Sequence, residues 1–168
     1  LDEKNSIHCT TGSLGHGFPM AVGMALARKK SNRAGKIYVM VGDGECQEGT
    51  TWESLLIGAK YQLDNLVLLV DYNKIQALDS IQNILPLDNL YAKFKAFNWS
   101  VKEVLDGHDF EQIIASFKTN HNKQKPLAVI LHTVKGKGVK AFENSADWHA
   151  RKVKGNDIDI GKQALGLI

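Results

Sequence analysis

Four short runs in the 168-residue chain are apolar or rich in β-branched residues: Ile37–Val41, Leu66–Val70, Trp99–Val104 and Leu127–Thr133. The second and fourth are nearly continuous apolar, the pattern of strands covered on both faces. Between the runs the period changes. Trp52, Leu55, Leu56 and Ala59 fall at i, i+3, i+4 and i+7, and so do Phe110, Ile113, Ile114 and Phe117. That spacing predicts helices with one apolar face. Asp109 precedes the second of these, with Gln112 three residues on, a capping pair. Asp88 is placed to cap a short helix carrying Leu90, Phe94 and Phe97. A further helix is expected from Phe18 to Lys30. It has Pro19 in its first turn and Arg28, Lys29 and Lys30 in its last, both suited to helix ends.

Strands alternating with helices predict an α/β fold: a mainly parallel sheet with helices on both faces and right-handed crossovers. The length suits a single domain over residues 1–168. One stretch, 134–156, is long, aperiodic and rich in Gly and Lys. A loop of that length inside a compact domain is usually functional. It is expected to be mobile when empty and to close over a ligand.

Composition narrows the classes. Apolar residues make up 43% and charged residues 23%, as in ordinary globular proteins, and a net charge of +3 argues for no nucleic acid partner. The two cysteines, Cys9 and Cys46, lack a CxxC spacing, so neither a disulfide framework nor a zinc site is expected. Free thiols fit a cytoplasmic location. No apolar run approaches the roughly 18 residues of a membrane helix, and no signal peptide opens the chain. The first residue is Leu1, and the opening residues read as the middle of a longer domain truncated at its amino end.

The chemistry concentrates at two strand ends. Val39-Met40-Val41 runs into Gly42-Asp43-Gly44-Glu45, and a helix follows. Ligands of open α/β sheets bind beyond the carboxyl ends of strands, and a helix start offers free N–H groups to an anion. Taken alone, Gly-Asp-Gly is better explained by an ordinary turn. The next strand ends in Asp71-Tyr72-Asn73-Lys74-Ile75, which sets Asn73 thirty positions after Asp43. If the strands are neighbours, a carboxylate, an amide oxygen and a carbonyl share one rim, a partial oxygen shell for Mg²⁺. The other reading is a pair of turn residues.

Five ordered words resemble the transketolase family. They are Thr11-Gly12-Ser13-Leu14-Gly15-His16-Gly17, Gly42-Asp43-Gly44-Glu45-Cys46-Gln47-Glu48-Gly49, Asp71-Tyr72-Asn73-Lys74-Ile75-Gln76, Asp106-Gly107-His108-Asp109, and His132-Thr133-Val134-Lys135-Gly136-Lys137-Gly138-Val139. Together they span almost the whole chain and most resemble the amino-terminal subunit of transketolases split across two polypeptides. The resemblance implies thiamine diphosphate as cofactor, with Mg²⁺ held by Asp43, the Asn73 side-chain oxygen and the Ile75 carbonyl. It implies that the Gly44 N–H meets the diphosphate and that main chain at Gly12, Ser13 and Leu14 lines the cofactor's ring end. Glu48 would lie at a subunit interface, in a carboxylate chain linking paired active sites. His149, in Asp147-Trp148-His149, resembles the family histidine beside the diphosphate and the reacting carbon.

His16 stands where many members have Gln, Ser13 where many have Pro, and Ala150 where split members commonly have Gly. The upstream helices and cofactor-facing histidine of the family have no counterpart after Leu1. The glutamate that activates the cofactor belongs to a pyrimidine-binding domain, so a second subunit and an oligomer are implied. The helix bearing Glu48 and Trp52 is expected at that interface. The reaction implied is two-carbon ketol transfer between sugar phosphates. Two alternatives stand beside it. One is another thiamine diphosphate-dependent carboligase, from a modified-sugar pathway or deoxyxylulose-phosphate synthase-like, the Gly42–Gly49 word weighing against the synthase. The other is a non-catalytic interaction module. Lys135, Lys137, Lys140, Arg151, Lys152 and Lys154 read as a solvated loop, or as attraction for a sugar phosphate. His8 and His121 read as solvated, and His108 as part of the turn before Asp109.

Overall fold

A computed structural model describes residues 2–118 and 124–168. His121 lies outside them. Four strands, β1 (Ile37–Gly42), β2 (Leu66–Tyr72), β3 (Ser100–Val104) and β4 (Leu127–His132), form one sheet in the order β1-β2-β4-β3. Every pairing is parallel, with Gly42 level with Asp71 and Tyr72 level with His132. All four carboxyl ends therefore open on one rim. The helices are α1 (Gly17–Lys30), α2 (Gly49–Lys60), α3 (Ile81–Ile84), α4 (Leu90–Ala96), α5 (Phe110–Lys118) and α6 (Asn156–Ala164). Among the described residues no helix is long and apolar enough to cross a membrane.

The sheet has a thick face and a thin one. On the thick face, Phe18, Val22 and Ala25 of α1, Leu55 of α2 and Phe94 of α4 pack with Val41, Leu68 and Ile130 around Trp99. Trp99 is buried, and its indole N–H donates to Leu55 O at 2.9 Å. Gly58 makes room for it, since a Cβ there would come within 2.7 Å of the indole ring. On the thin face, Ile113 and Phe117 of α5 cover Val67, Val104, Leu127, Val129 and Leu131. The outward residues of β1 on that face, Tyr38 and Met40, stay exposed.

Two local expectations need correction. The cap of α4 is Asn89, whose Oδ1 accepts the Ala92 N–H, while Asp88 sits at φ +48° before it. In α2, Trp52 packs inward as its spacing predicts, with its ring on Phe94 and Phe97. Leu56, assigned to the same apolar face, is 60% exposed instead. Within 134–156, the stretch expected to be mobile, aromatic side chains meet. Phe142 stacks on Trp148 with centroids 3.9 Å apart, Arg151 lies over the Trp148 ring, and Val139 is buried.

Candidate functional site

The rim is built around Asp43. It is 3% exposed, an unusual place for a carboxylate, and β1 and the short 3-10 turn Gly44–Gln47 hold it there. Its Oδ1 accepts the Gly44 N–H at 2.7 Å and its Oδ2 accepts the Lys74 N–H at 2.5 Å. The second bond crosses from β1 to the residue after Asn73, so the structure brings Asp43 and Asn73 together. Lys74 adopts φ +67°, which turns the chain sharply past the end of β2. Asn73 Oδ1 accepts the Ile75 N–H at 3.0 Å, and the Ile75 carbonyl accepts no hydrogen bond from the described residues.

Burial raises the Asp43 pKa most. The Lys74 and Gly44 N–H groups oppose that, Asp71 adds to it, and the positive charge of Lys135 opposes it. A buried carboxylate with a second one nearby is a site that a cation relieves. Asp71 itself is engaged by the Thr133 hydroxyl and by Asn73 Nδ2. Among the described residues no three His, Cys, Asp or Glu side chains converge on a metal position. The set at this rim is one carboxylate, one amide oxygen and one carbonyl, which suits Mg²⁺ because that ion takes remaining ligands from phosphates and water. Beneath the turn, Cys46 is fully buried, and burial first, then Asp43 and Glu45, push its thiol up to about 12.

The glycines separate into two kinds. Gly15 is demanded by the fold: φ is +77°, and a Cβ there would lie 2.4 Å from Thr50 Oγ1. Gly12 and Gly42 are different. A Cβ on either meets nothing within 4 Å, and one on Gly44 makes only ordinary contact with Gln76. The chain's own packing does not require glycine at these three positions, which leaves room for a ligand to approach the main chain closely. That fits a diphosphate. The Gly44 N–H, however, is held by Asp43 Oδ1 rather than left free.

The segment holding Gly12, Ser13 and Leu14 is exposed and is tied to the rim through Gly15. The Gly15 N–H donates to Glu45 Oε1 at 2.9 Å, and Thr50 Oγ1 donates to Gly15 O at 2.7 Å. Sequence reasoning missed Glu45 and Thr50; their place in and beside the Gly42–Gly49 word was the available signal. It named Lys135 only among the basic loop positions, as solvated or as drawing a sugar phosphate. This lysine is half-buried, its Nζ lies 3.2 Å from His149 Nδ1, and its charge acts on Asp43. His149 is exposed and reaches the rim through that contact. Lys137 and Lys140 remain exposed, as a solvated loop requires. Glu48 is exposed, and its carboxylate makes no hydrogen bond within the described residues.

The model of the transketolase thiamine diphosphate-binding domain matches residues 1–168. An apulose-4-phosphate transketolase subunit from Actinobacillus succinogenes is 40% identical over 159 residues, which are 95% of this chain and 57% of that protein. A 6-deoxy-6-sulfo-D-fructose transketolase subunit from Clostridium sp. is 40% identical over 148 residues, 88% of this chain and 54% of that protein. The chain thus spans about half the length of these curated relatives. Among solved structures, a Pichia stipitis transketolase complex with sedoheptulose-7-phosphate superimposes with a TM-score of 0.85 at 30% identity, covering 94% of this chain and 25% of that one.

Proposed function

The chain belongs to the transketolase family, matching its thiamine diphosphate-binding domain, and from that premise we propose that it is the diphosphate- and metal-holding wall of a two-subunit ketol transferase. The observation that carries this reading is the buried Asp43 carboxylate, bonded across the rim to the Lys74 N–H beside Asn73. Asp43, Asn73 Oδ1 and the Ile75 carbonyl would hold Mg²⁺, whose charge would offset that of the diphosphate. Thiamine diphosphate, when bound, supplies the carbon nucleophile and electron sink that ketol transfer needs.

The chain's own residues orient it. The open space at Gly12, Gly42 and Gly44 admits the diphosphate and the ring end to the main chain. Lys135 adds positive charge at half-buried depth, where it is screened less than a surface lysine. With Nδ1 facing the Lys135 ammonium, His149 presents Nε2 outward, available to exchange a proton with a substrate hydroxyl.

A second subunit carries the pyrimidine-binding domain and the glutamate that activates the cofactor. The relatives named as transketolase subunits support this. So do the outward residues Met20 and Met24 of α1 and Leu56 and Ile57 of α2, apolar side chains left exposed. The substrates are sugars bearing a terminal anion: one relative is named for a sugar phosphate and another for a sulfo-sugar. The test is reconstitution. Mixed with the neighbouring subunit, Mg²⁺ and cofactor, the chain should yield ketol transfer and a larger complex by sedimentation, and neither part alone should turn over. Lack of both association and turnover contradicts the assignment.

A further inference from the structure

The Asp106-Gly107-His108 turn takes no part in the function above, yet its contacts lead to the site. The pairing of β3 with β4 ends at Val104 and Leu131. Two more bonds then continue the ladder. The Gly107 N–H donates to His132 O at 2.7 Å, and the Val134 N–H donates to His108 Nε2 at 2.8 Å. In a parallel ladder both acceptors are main-chain carbonyls; here an imidazole stands in for the second. Only glycine permits the approach at 107, since a Cβ there would lie 2.6 Å from Thr133 Cγ2 and 3.0 Å from His132 O. The His108 N–H donates to Asp106 Oδ1 at 3.0 Å, which sets the turn that presents the ring. A helix cap does not need an imidazole, because Asp109 Oδ1 already accepts the Glu111 and Gln112 N–H groups.

On the other flank, the Thr133 hydroxyl donates to Asp71 Oδ1 on β2. Residues 132–134 are therefore gripped from both neighbouring strands. The next residue is Lys135, whose Nζ meets His149 Nδ1 and whose carbonyl accepts the Asn144 N–H at 2.9 Å. We propose that His108 is a positioning residue: as the last acceptor of the β3–β4 ladder, its imidazole fixes the root of the loop that carries Lys135 and His149 to the rim. The consequence for cofactor binding rests on the function proposed above; the grip on the loop does not.

The geometry demands a neutral ring with its proton on Nδ1, because a protonated Nε2 has no lone pair for the Val134 N–H. A free neutral histidine favours the other tautomer. Nitrogen-15 NMR of the wild-type chain should find the His108 Nδ1–H form, and an Nε2–H form overturns the proposal. Two variants separate accepting from filling. His108→Leu fills the space without a lone pair, and His108→Gln returns an amide oxygen near the Nε2 position. Hydrogen exchange over Val134–His149 should quicken roughly three- to tenfold in His108→Leu, the range set by one net hydrogen bond. It should return close to wild type in His108→Gln. Equal exchange in wild type and His108→Leu overturns the proposal. So does equal cofactor affinity in the two when the wild type binds. If the wild type takes up no cofactor, the functional reading fails, and tautomer and exchange decide the role of His108 by themselves.

Discussion

The main-chain N–H of Lys74 donates to Asp43 Oδ2 at 2.5 Å, joining the ends of two parallel strands through a buried carboxylate. That bond makes the rim one unit. It ties Asp43 to the turn that carries Asn73, whose Oδ1 accepts the Ile75 N–H.

The two kinds of glycine predict opposite phenotypes. Gly15→Ala forces a left-handed backbone on a side chain and a Cβ into Thr50, so it should destabilise by about 2–4 kcal/mol in urea unfolding. Gly44→Ala adds a methyl in ordinary contact with Gln76. It should change stability by less than about 1 kcal/mol while weakening thiamine diphosphate binding. A Gly44→Ala chain that binds the cofactor as the wild type does would show that its open space serves no ligand.

The two thiols should differ sharply. Cys46 is fully buried with its pKa pushed up to about 12, whereas Cys9 is exposed. The thiolate is the reactive form. At mild alkaline pH, one thiol per native chain should react rapidly with an aromatic disulfide reagent, and the second only after unfolding. Rapid reaction of both thiols would mean that the turn beneath Asp43 opens.

Metal binding should depend on pH with a definite sign. Burial raises the Asp43 pKa above 3.8, and a proton on the carboxylate competes with Mg²⁺. Affinity should be full above the raised pKa and should be lost as pH falls through it, earlier than for an unshifted aspartate. The same shift means that the empty folded chain binds this proton more readily than the unfolded chain. Asp43 therefore lowers stability as pH rises from 3.8 through that window. A Mg²⁺ affinity that stays flat down to the usual aspartate range would place the ion elsewhere.

The stack of Phe142 on Trp148 should hold the loop in its folded form. An aromatic pair contributes about 0.5–1.5 kcal/mol beyond buried area. Phe142→Ala should accordingly speed limited proteolysis within 134–156 by roughly two- to tenfold, the equivalent of that energy when cleavage follows the open population. Unchanged cleavage would show that the stack contributes nothing to loop order.

Strands were the most legible elements, because β-branched runs such as Leu66–Val70 and Leu127–Thr133 permit little else. Their neighbouring ends made the pairing of Asp43 with Asn73 readable as well. Failures came where several residues of one kind compete. Asp88 and Asn89 both can cap, and only the backbone decides that Asn89 does. The helical period placed Leu56 with Trp52, but Leu56 is exposed while Trp52 packs on Phe94 and Phe97, some forty positions away. Lys135 looked like any lysine of a basic loop; its depth and its contact with His149 depend on where β4 ends. The looseness expected of 134–156 followed from its glycines, and the Phe142–Trp148 stack is invisible to composition.

The central claim is that this rim holds thiamine diphosphate through Mg²⁺ at Asp43, and calorimetric titration of the cofactor tests it most directly. The wild-type chain, together with its partner subunit, should bind when Mg²⁺ is present and lose that binding when the ion is chelated. Asp43→Ala should lose it under both conditions while remaining folded by circular dichroism. Equal affinity with and without Mg²⁺, or undiminished binding by folded Asp43→Ala, would contradict the account.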